Sequence, residues 1–115
     1  MNSNLFQKIY SENKVPVAKT NIAGEYLDVN QAYEELIGYS LAELKRLTYT
    51  DVTPKKWHSI ELENVLKNVF ITGNMAYDKE YTHKSGEIIP IKANVFLIKN
   101  EQGLESGMWG TFEKV

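Results

Sequence analysis

The chain has 115 residues, a formal net charge of -2 and no cysteine. This length corresponds to one domain, and the contents of 43% hydrophobic and 24% charged residues exclude a disordered, collagen-like or disulfide-stabilised chain. A nucleic-acid-binding domain usually has a basic excess, whereas here 15 acidic residues outnumber 13 basic ones. We therefore expect no nucleic-acid partner. The absence of cysteine excludes thiol nucleophiles and thiolate metal sites, and it agrees with a reducing compartment.

The sequence contains no targeting signal of a recognisable kind. No segment approaches the roughly 18 consecutive apolar residues that are needed to span a bilayer, and the N-terminus lacks the basic and apolar regions of a secretion signal. We therefore expect a cytoplasmic domain without membrane contact. A strand pattern still continues at 111–115, so we expect the domain to be part of a longer protein.

Helical and extended patterns follow one another in a clear order. The predicted elements are a helix at 3–12, strands at 15–20 and 25–29, short helices at 31–37 and after residue 40, a long helix at 55–72, and strands at 75–84, 87–99 and 104–113. The first two strands are joined by a short turn and should form an antiparallel hairpin. The order predicts an α+β fold with a five-stranded antiparallel sheet, short helices on one face and an N-terminal amphipathic helix.

Capping residues support the helix boundaries. Ser3 and Asn30 stand where an N-cap is needed, and Gly38 follows the end of the second helix. Ser40 with Glu43 three residues later forms a capping box for the third helix. We interpret all of these as backbone roles.

The long helix has one apolar stripe that should face the core. Its members are Leu62, Val65, Leu66 and Val69. Glu61 and Glu63 then belong to the opposite side, which should face the solvent.

Two blocks of the sequence resemble the PAS sensory domain family. The first is EYLDVNQAY at 25–33, with LIGYS and then EL close behind it. The second is YDKEYTHKSG at 77–86, followed by IPI and, further on, by a last strand with Gly107 and Trp109. Each motif is short, but together they have the order and spacing of the family from residue 15 to residue 115.

The resemblance implies a fold and a role. The fold is a five-stranded antiparallel sheet cupped around a small cavity by short helices, with residues 1–14 as a flanking helix and 15–115 as the PAS domain. The role is that of a sensory or dimerising module in a larger bacterial or archaeal signalling protein, such as the histidine kinase of a two-component system or a diguanylate cyclase. Proteins of one fold differ in what they bind, so the resemblance names no ligand.

One face of the fourth strand is wholly apolar and should point to the core under the helices. It consists of Ile89, Ile91, Ala93, Val95 and Leu97. Ala93 is small and would leave space above the sheet. That space could hold a ligand, or side chains could fill it.

Aromatic residues are the strongest candidates for a cavity wall, because they offer rings for stacking and polar groups for orientation. The candidate cavity residues are Tyr33, Ile37, Tyr49, Trp57, Val65, Tyr77, Tyr81, Ile91, Ala93, Val95 and Trp109.

The direction of Lys79 is open. The period of two places Tyr77, Lys79 and Tyr81 on one face of their strand. If that face points inward, Lys79 is a buried cation that needs an anionic partner. If it points outward, Lys79 is an ordinary solvated lysine and Glu80 faces inward, which is the arrangement we favour.

The other face of the fourth strand carries Phe96 and Ile98, and exposed apolar residues on a sheet indicate that something covers them. The first helix could do so with Leu5, Phe6, Ile9 and Tyr10. A second copy of the domain could also do so. The candidate interface of a homodimer is Leu5, Phe6, Ile9, Phe96 and Ile98.

Nothing in the sequence predicts a metal, a cofactor or catalysis. Two histidines without cysteine make a zinc site improbable. Haem is also improbable, because His58 stands only at the start of the long helix. A covalent flavin adduct is excluded, since it requires a cysteine. No nucleophile–histidine–acid order, phosphate-binding loop or metalloprotease motif is present.

These features predict a sensory module that binds a small molecule in its cavity and relays its state to a C-terminal effector domain through dimerisation and the last strand. The alternative is a dimerisation module whose cavity is filled by side chains and takes no ligand.

Overall fold

The computed structural model describes residues 3–115, with side chains from residue 5 onward, so the predicted cap at Ser3 lies outside the described side chains. The elements are α1 (Ser3–Glu12), β1 (Val17–Thr20), β2 (Tyr26–Val29), α2 (Gln31–Ile37), α3 (Leu41–Leu44), a 3-10 helix (Lys55–Trp57), α4 (His58–Ile60), a π-helical turn (Glu61–Val65), α5 (Leu66–Thr72), β3 (Asn74–Thr82), β4 (Ile88–Lys99) and β5 (Glu105–Lys114). The predicted order of elements is confirmed.

The strands form one antiparallel sheet in the order β2-β1-β5-β4-β3. The first and last strands of the chain are therefore neighbours in the middle of the sheet. β3 and β4 form a long hairpin, and β1 and β2 form the predicted short one. The predicted fold class is confirmed.

Asn30 connects α2 to the sheet. Its side-chain oxygen accepts hydrogen bonds from the backbone N–H groups of Tyr33 at 3.0 Å and Val17 at 2.9 Å. Its amide group donates to the backbone oxygen of Val15 at 2.8 Å. The first bond is the predicted N-cap, and the other two fix the start of α2 against β1. The capping box of Ser40 and Glu43 is also confirmed.

The core lies between the helices and the inner face of the sheet. The predicted inner residues of β4 are in it, and Ile89, Ile91, Ala93 and Leu97 are buried. The expected space above Ala93 is filled by aromatic rings. Phe112 is its neighbour on β5, and the ring of Phe112 packs 5.4 Å from that of Tyr33. Of the two possibilities considered for this space, filling by side chains is therefore the one observed.

The long helical segment differs from the predicted regular helix. The backbone N–H of Leu66 donates to the oxygen of Glu61 five residues earlier, which is the π-helical pattern. This wider turn aligns Glu61, rather than Leu62, with Val65 and Val69. Glu61 is consequently 4% exposed and Leu62 is 65% exposed, so the prediction for these two residues was wrong.

Helix α1 covers the outer face of the sheet. Phe6 is buried with Val17 and Trp109, and Ile9, Phe96 and Ile98 pack against this cluster. The hydroxyl group of Tyr10 donates to Asp28 at 3.0 Å. Leu5 is left 44% exposed. Of the two covers considered, the protein's own helix is therefore in place.

None of the helices in residues 3–115 combines the length and the apolar composition that a membrane crossing requires.

Candidate functional site: an inner cavity with a buried ion pair

A small cavity lies between the inner face of the sheet and the helical segment that precedes β3. Its volume is about 40 Å³. Most of its wall is apolar or aromatic, and two residues of the wall carry opposite charges. The residues that line it are Ala18, Thr20, Tyr26, Tyr49, Glu61, Val65, Leu66, Tyr77, Lys79, Tyr81, Val95, Met108, Trp109, Gly110 and Phe112.

The two charged residues form a buried ion pair. The Nζ atom of Lys79 lies 2.9 Å from both carboxylate oxygens of Glu61. Removing two charges from water is costly, and close geometry with further hydrogen bonds is needed to offset the cost. Both are present here. Nζ also donates to the hydroxyl group of Thr53 at 2.9 Å, and the hydroxyl group of Tyr77 donates to Glu61 at 2.5 Å.

Aromatic rings flank the ammonium group of Lys79. Its Nζ atom lies 4.5 Å from the ring centroid of Tyr81 and 5.6 Å from that of Tyr49. The electron-rich face of a ring attracts a cation within about 6 Å. A carboxylate, a hydroxyl group and two rings therefore hold this ammonium group at the cavity wall.

Burial changes the protonation equilibria of the wall. It lowers the pKa of Lys79, and the carboxylate of Glu61 opposes this effect. Burial, with a smaller contribution from the charge of Glu61, raises the pKa of Tyr49 to about 12. Burial also raises the pKa of Tyr77, and the charge of Glu61 and the hydrogen bond to it add to the effect. Tyr77 therefore remains a hydrogen-bond donor at neutral pH.

Three tyrosines lie where the cavity meets the packed core, and two of them, Tyr26 and Tyr81, also line the cavity. The hydroxyl oxygens of Tyr26 and Tyr33 are 2.6 Å apart, and the rings of Tyr33 and Tyr81 meet edge to face at 5.9 Å. Burial raises the pKa of all three well above the usual value of 10.0. All three are therefore neutral groups at neutral pH.

The structure brings some of the predicted cavity residues together at this cavity. Those that line it are Tyr49, Val65, Tyr77, Tyr81, Val95 and Trp109. Trp109 only borders the cavity, because its indole ring packs on the outer face, stacked on Phe96 at 4.6 Å.

The other predicted residues lie elsewhere. Tyr33, Ile37, Ile91 and Ala93 belong to the packed core next to the cavity, because aromatic rings fill the space above Ala93. Trp57 is also absent from the wall. Its Nε1 atom donates to Glu80 at 3.1 Å, and this hydrogen bond is the main cause that lowers the pKa of Glu80.

Lys79 faces inward, so the favoured prediction of a solvated lysine with Glu80 inside was wrong. The physical reason is the partner supplied by the π-helical turn, because Glu61 offsets the cost of burying the ammonium group. The sequence had signalled this option, since the alternation of β3 placed Lys79 on the same face as Tyr77 and Tyr81.

Besides Lys79, sequence reasoning left out of the candidate list eight residues that line the cavity, namely Ala18, Thr20, Tyr26, Glu61, Leu66, Met108, Gly110 and Phe112. Glu61 had been assigned to the solvent, and Thr53 and Gly110 had not been considered. Gly110 helps to leave the cavity open, because a Cβ atom there would lie 2.8 Å from the ring of Phe112. No sequence signal identified Gly110, whereas the inward option for Lys79 called for an acidic partner such as Glu61.

The histidines have structural contacts. The Nε2 atom of His58 lies 2.8 Å from the backbone oxygen of Thr53, and the ring of His83 lies against Gly38. Within residues 3–115 there is no group of three or more histidine, cysteine, aspartate or glutamate residues that could hold a metal ion.

The ion pair predicts strong coupling between its two residues. Glu61→Leu alone and Lys79→Met alone should each lower the free energy of unfolding by about 3–5 kcal/mol, because each leaves one charge buried and unpaired. The double variant should lose far less than the sum of the two single losses. Chemical denaturation of the four proteins measures this coupling.

The exposed pair of Lys84 and Glu43 provides the matched control. The same cycle at these positions should give a much smaller coupling, because solvent screens exposed charges. Additive losses at Glu61 and Lys79 would contradict the buried pair.

The buried tyrosines predict a loss of stability at alkaline pH. The pKa values of Tyr26, Tyr33, Tyr49, Tyr77 and Tyr81 are raised in the folded state, whereas in the unfolded chain tyrosine ionises near pH 10. Their contribution to stability is therefore full below about pH 10 and is lost as the pH rises above it. The lowered pKa of Lys79 has the opposite effect, because it makes the free energy of unfolding rise with pH. Lys79 is one group, however, against five tyrosines.

The test follows tyrosinate absorbance and circular dichroism over the same pH titration. The buried tyrosines should ionise together with unfolding. Ionisation of these residues near pH 10 in the folded protein would show that they are not buried as described.

The family described as PAS domain matches residues 14–112 of the chain. Among curated proteins there is no match.

Solved structures share the fold at low sequence identity. A PAS domain from Colwellia psychrerythraea has a TM-score of 0.88 at 19% identity, over 98% of this chain and 96% of that one. A PAS domain from a two-component sensor histidine kinase has a TM-score of 0.76 at 16% identity, over 99% and 100%. The PAS domain of a LuxR-family transcriptional regulator from Burkholderia thailandensis, in complex with ethanol, has a TM-score of 0.76 at 15% identity, over 96% of each chain. With the family match over 14–112 and this fold, the chain belongs to the PAS domain family.

Proposed function

We propose that this PAS domain binds a small molecule in the inner cavity and relays the bound state to an effector domain. The observation that carries the proposal is the ion pair of Glu61 and Lys79 at the cavity wall. Packing alone does not call for such a pair, since apolar residues of similar volume often stabilise a core equally well or better. Polar groups beside an open space are instead typical of binding sites.

The proposed relay uses the elements that meet at the cavity. Glu61 lies on the helical segment and Lys79 lies on β3, and both line the cavity, so a ligand in the cavity beside the pair contacts both layers of the domain. β5 contributes Met108, Gly110 and Phe112 to the same wall. A ligand shifts the balance between two packings only if it binds one of them more tightly. We expect the change to pass through β5 to the effector.

The parent protein in this proposal is a cytoplasmic signalling protein. PAS domains are sensory modules, and one of the structural neighbours comes from a two-component sensor histidine kinase. We therefore propose an effector of the histidine kinase or diguanylate cyclase type, located after the domain. The domain itself supplies sensing rather than catalysis.

Cavity size supports a small ligand and no large cofactor. A volume of about 40 Å³ corresponds to roughly three to four water molecules, at about 10–15 Å³ each. Haem and flavin exceed this space many times, which supports the proposal of a small ligand. One structural neighbour of this chain holds ethanol, which is a molecule of suitable size.

The test is a metabolite screen by two-dimensional NMR on the isotope-labelled domain. We expect at least one small compound to shift the amide signals of Val65, Lys79 and Val95 saturably. A variant with Val65→Leu and Val95→Ile should lose at least tenfold in affinity, because the added methylene groups occupy the cavity. Val15→Ile is the matched control, since Val15 is exposed and away from the cavity.

Two results would contradict the proposal. One is a broad screen in which no compound binds the wild-type domain. The other is unchanged affinity in the filled variant, which would put the ligand outside the cavity.

A second candidate function is dimerisation, with the cavity as a closed part of the core. The observation that favours this alternative is the exposed apolar side chain of Leu5 on α1, beside the outer cluster. The proposed homodimer would use the outer side of α1, where Leu5 remains 44% exposed beside the covered cluster of Phe6 and Trp109. Phe96, Ile98 and Ile9 then support the interface from beneath the helix.

Light scattering at several protein concentrations tests this second candidate. Leu5→Glu should weaken the dimer at least tenfold without unfolding the domain, because the side chain is already exposed. Ile22→Glu, at a similarly exposed position in the β1–β2 turn, should leave the dimer intact. A wild-type domain that stays monomeric at high concentration would reject the candidate.

A further inference from the structure

We infer that the cavity accepts a neutral molecule of about four non-hydrogen atoms that carries a hydroxyl or amide group, and that it rejects ions of the same size. The inference rests on the proposed function, because it assumes that the cavity takes a ligand. It adds the chemical class of that ligand.

Size sets the first limit. The volume of about 40 Å³ holds roughly three to four water-sized groups. A short alkyl chain with one polar group fits this space. The apolar side chains of Val65, Val95 and Met108 would contact the alkyl part, which is favourable because it removes apolar surface from water.

Charge sets the second limit. Among the described residues that line the cavity, Glu61 and Lys79 are the two that carry charge, and each is already paired with the other at 2.9 Å. An anion would have to compete with Glu61 for Lys79, and a cation would have to compete with Lys79 for Glu61. Either ion would leave one buried charge without its partner, which is strongly unfavourable.

Hydrogen bonding sets the third limit. Tyr49 and Tyr77 are among the residues that line the cavity, and a phenol oxygen can accept a hydrogen bond as well as donate one. The hydroxyl group of Tyr77 already donates to Glu61, so its oxygen is suited to accept from a ligand. A neutral hydroxyl or amide group can donate there while the ion pair stays intact.

The experiment uses the wild-type domain and two pairs of probes with equal numbers of heavy atoms. Acetamide is compared with acetate, and 1-propanol is compared with propylammonium, by NMR titration at neutral pH. The amide signals of Val65, Lys79 and Val95 should shift saturably with the neutral probes. Their dissociation constants should be no tighter than roughly 0.05 mM, since so few atoms limit the affinity. Each ion should bind at least tenfold more weakly than its neutral partner.

The outcomes separate this inference from the proposed function. Acetate or propylammonium binding as tightly as its neutral partner would overturn the inference and leave the proposed function standing. The same conclusion would follow if none of the four probes bound but a larger compound from the metabolite screen did. If no compound of any kind binds, the proposed function itself fails.

Two variants test whether the ion pair sets the selectivity. Glu61→Gln leaves the ammonium group of Lys79 without its counter-charge, so acetate should gain at least tenfold relative to acetamide. Lys79→Met leaves the carboxylate of Glu61, so propylammonium should gain relative to 1-propanol. A folded variant with wild-type selectivity would overturn the inference. If a variant does not fold, the wild-type probe series decides alone.

Discussion

The ion pair between Glu61 and Lys79 is the interaction on which the arrangement of the cavity depends. It joins the helical layer to β3 at the wall of the cavity, where the Nζ atom of Lys79 lies 2.9 Å from the carboxylate of Glu61. Each charge needs the other, because an isolated charge would be too costly to bury. The π-helical turn at Glu61–Val65 is part of the same constraint, since it directs the carboxylate to the sheet. Such turns are frequent at functional sites.

The rest of the wall supports this pair from several sides. Thr53 and Tyr77 complete its hydrogen bonds, and the rings of Tyr49 and Tyr81 flank the ammonium group. A polar network of this kind defines one arrangement when all of its members are satisfied. In the proposed function, a bound molecule would contact both layers at once, and it would set the state of the domain if it binds one packing of the layers more tightly than the other.

The sequence predicted the fold better than it predicted the site. Capping residues such as Asn30 and the two-residue period of the strands act locally, so the elements and the sheet could be derived from neighbouring residues. The direction of Lys79 could not, because it depends on a carboxylate 18 positions away. That carboxylate was hidden by the assumption of a regular helix, in which Leu62 would face the core. Whether the space above Ala93 is open or filled could not be decided from the sequence for a similar reason, since the aromatic rings that fill it come from distant positions.

The most direct test of this account is the NMR signal of the ammonium group of Lys79 in the wild-type domain. We predict a separate signal whose protons exchange slowly with water, and a titration with pH that lies below the usual lysine value of 10.5, because burial lowers the pKa of this group. An ammonium signal that exchanges rapidly and titrates together with those of exposed lysines would contradict the buried pair, and with it the proposed binding site.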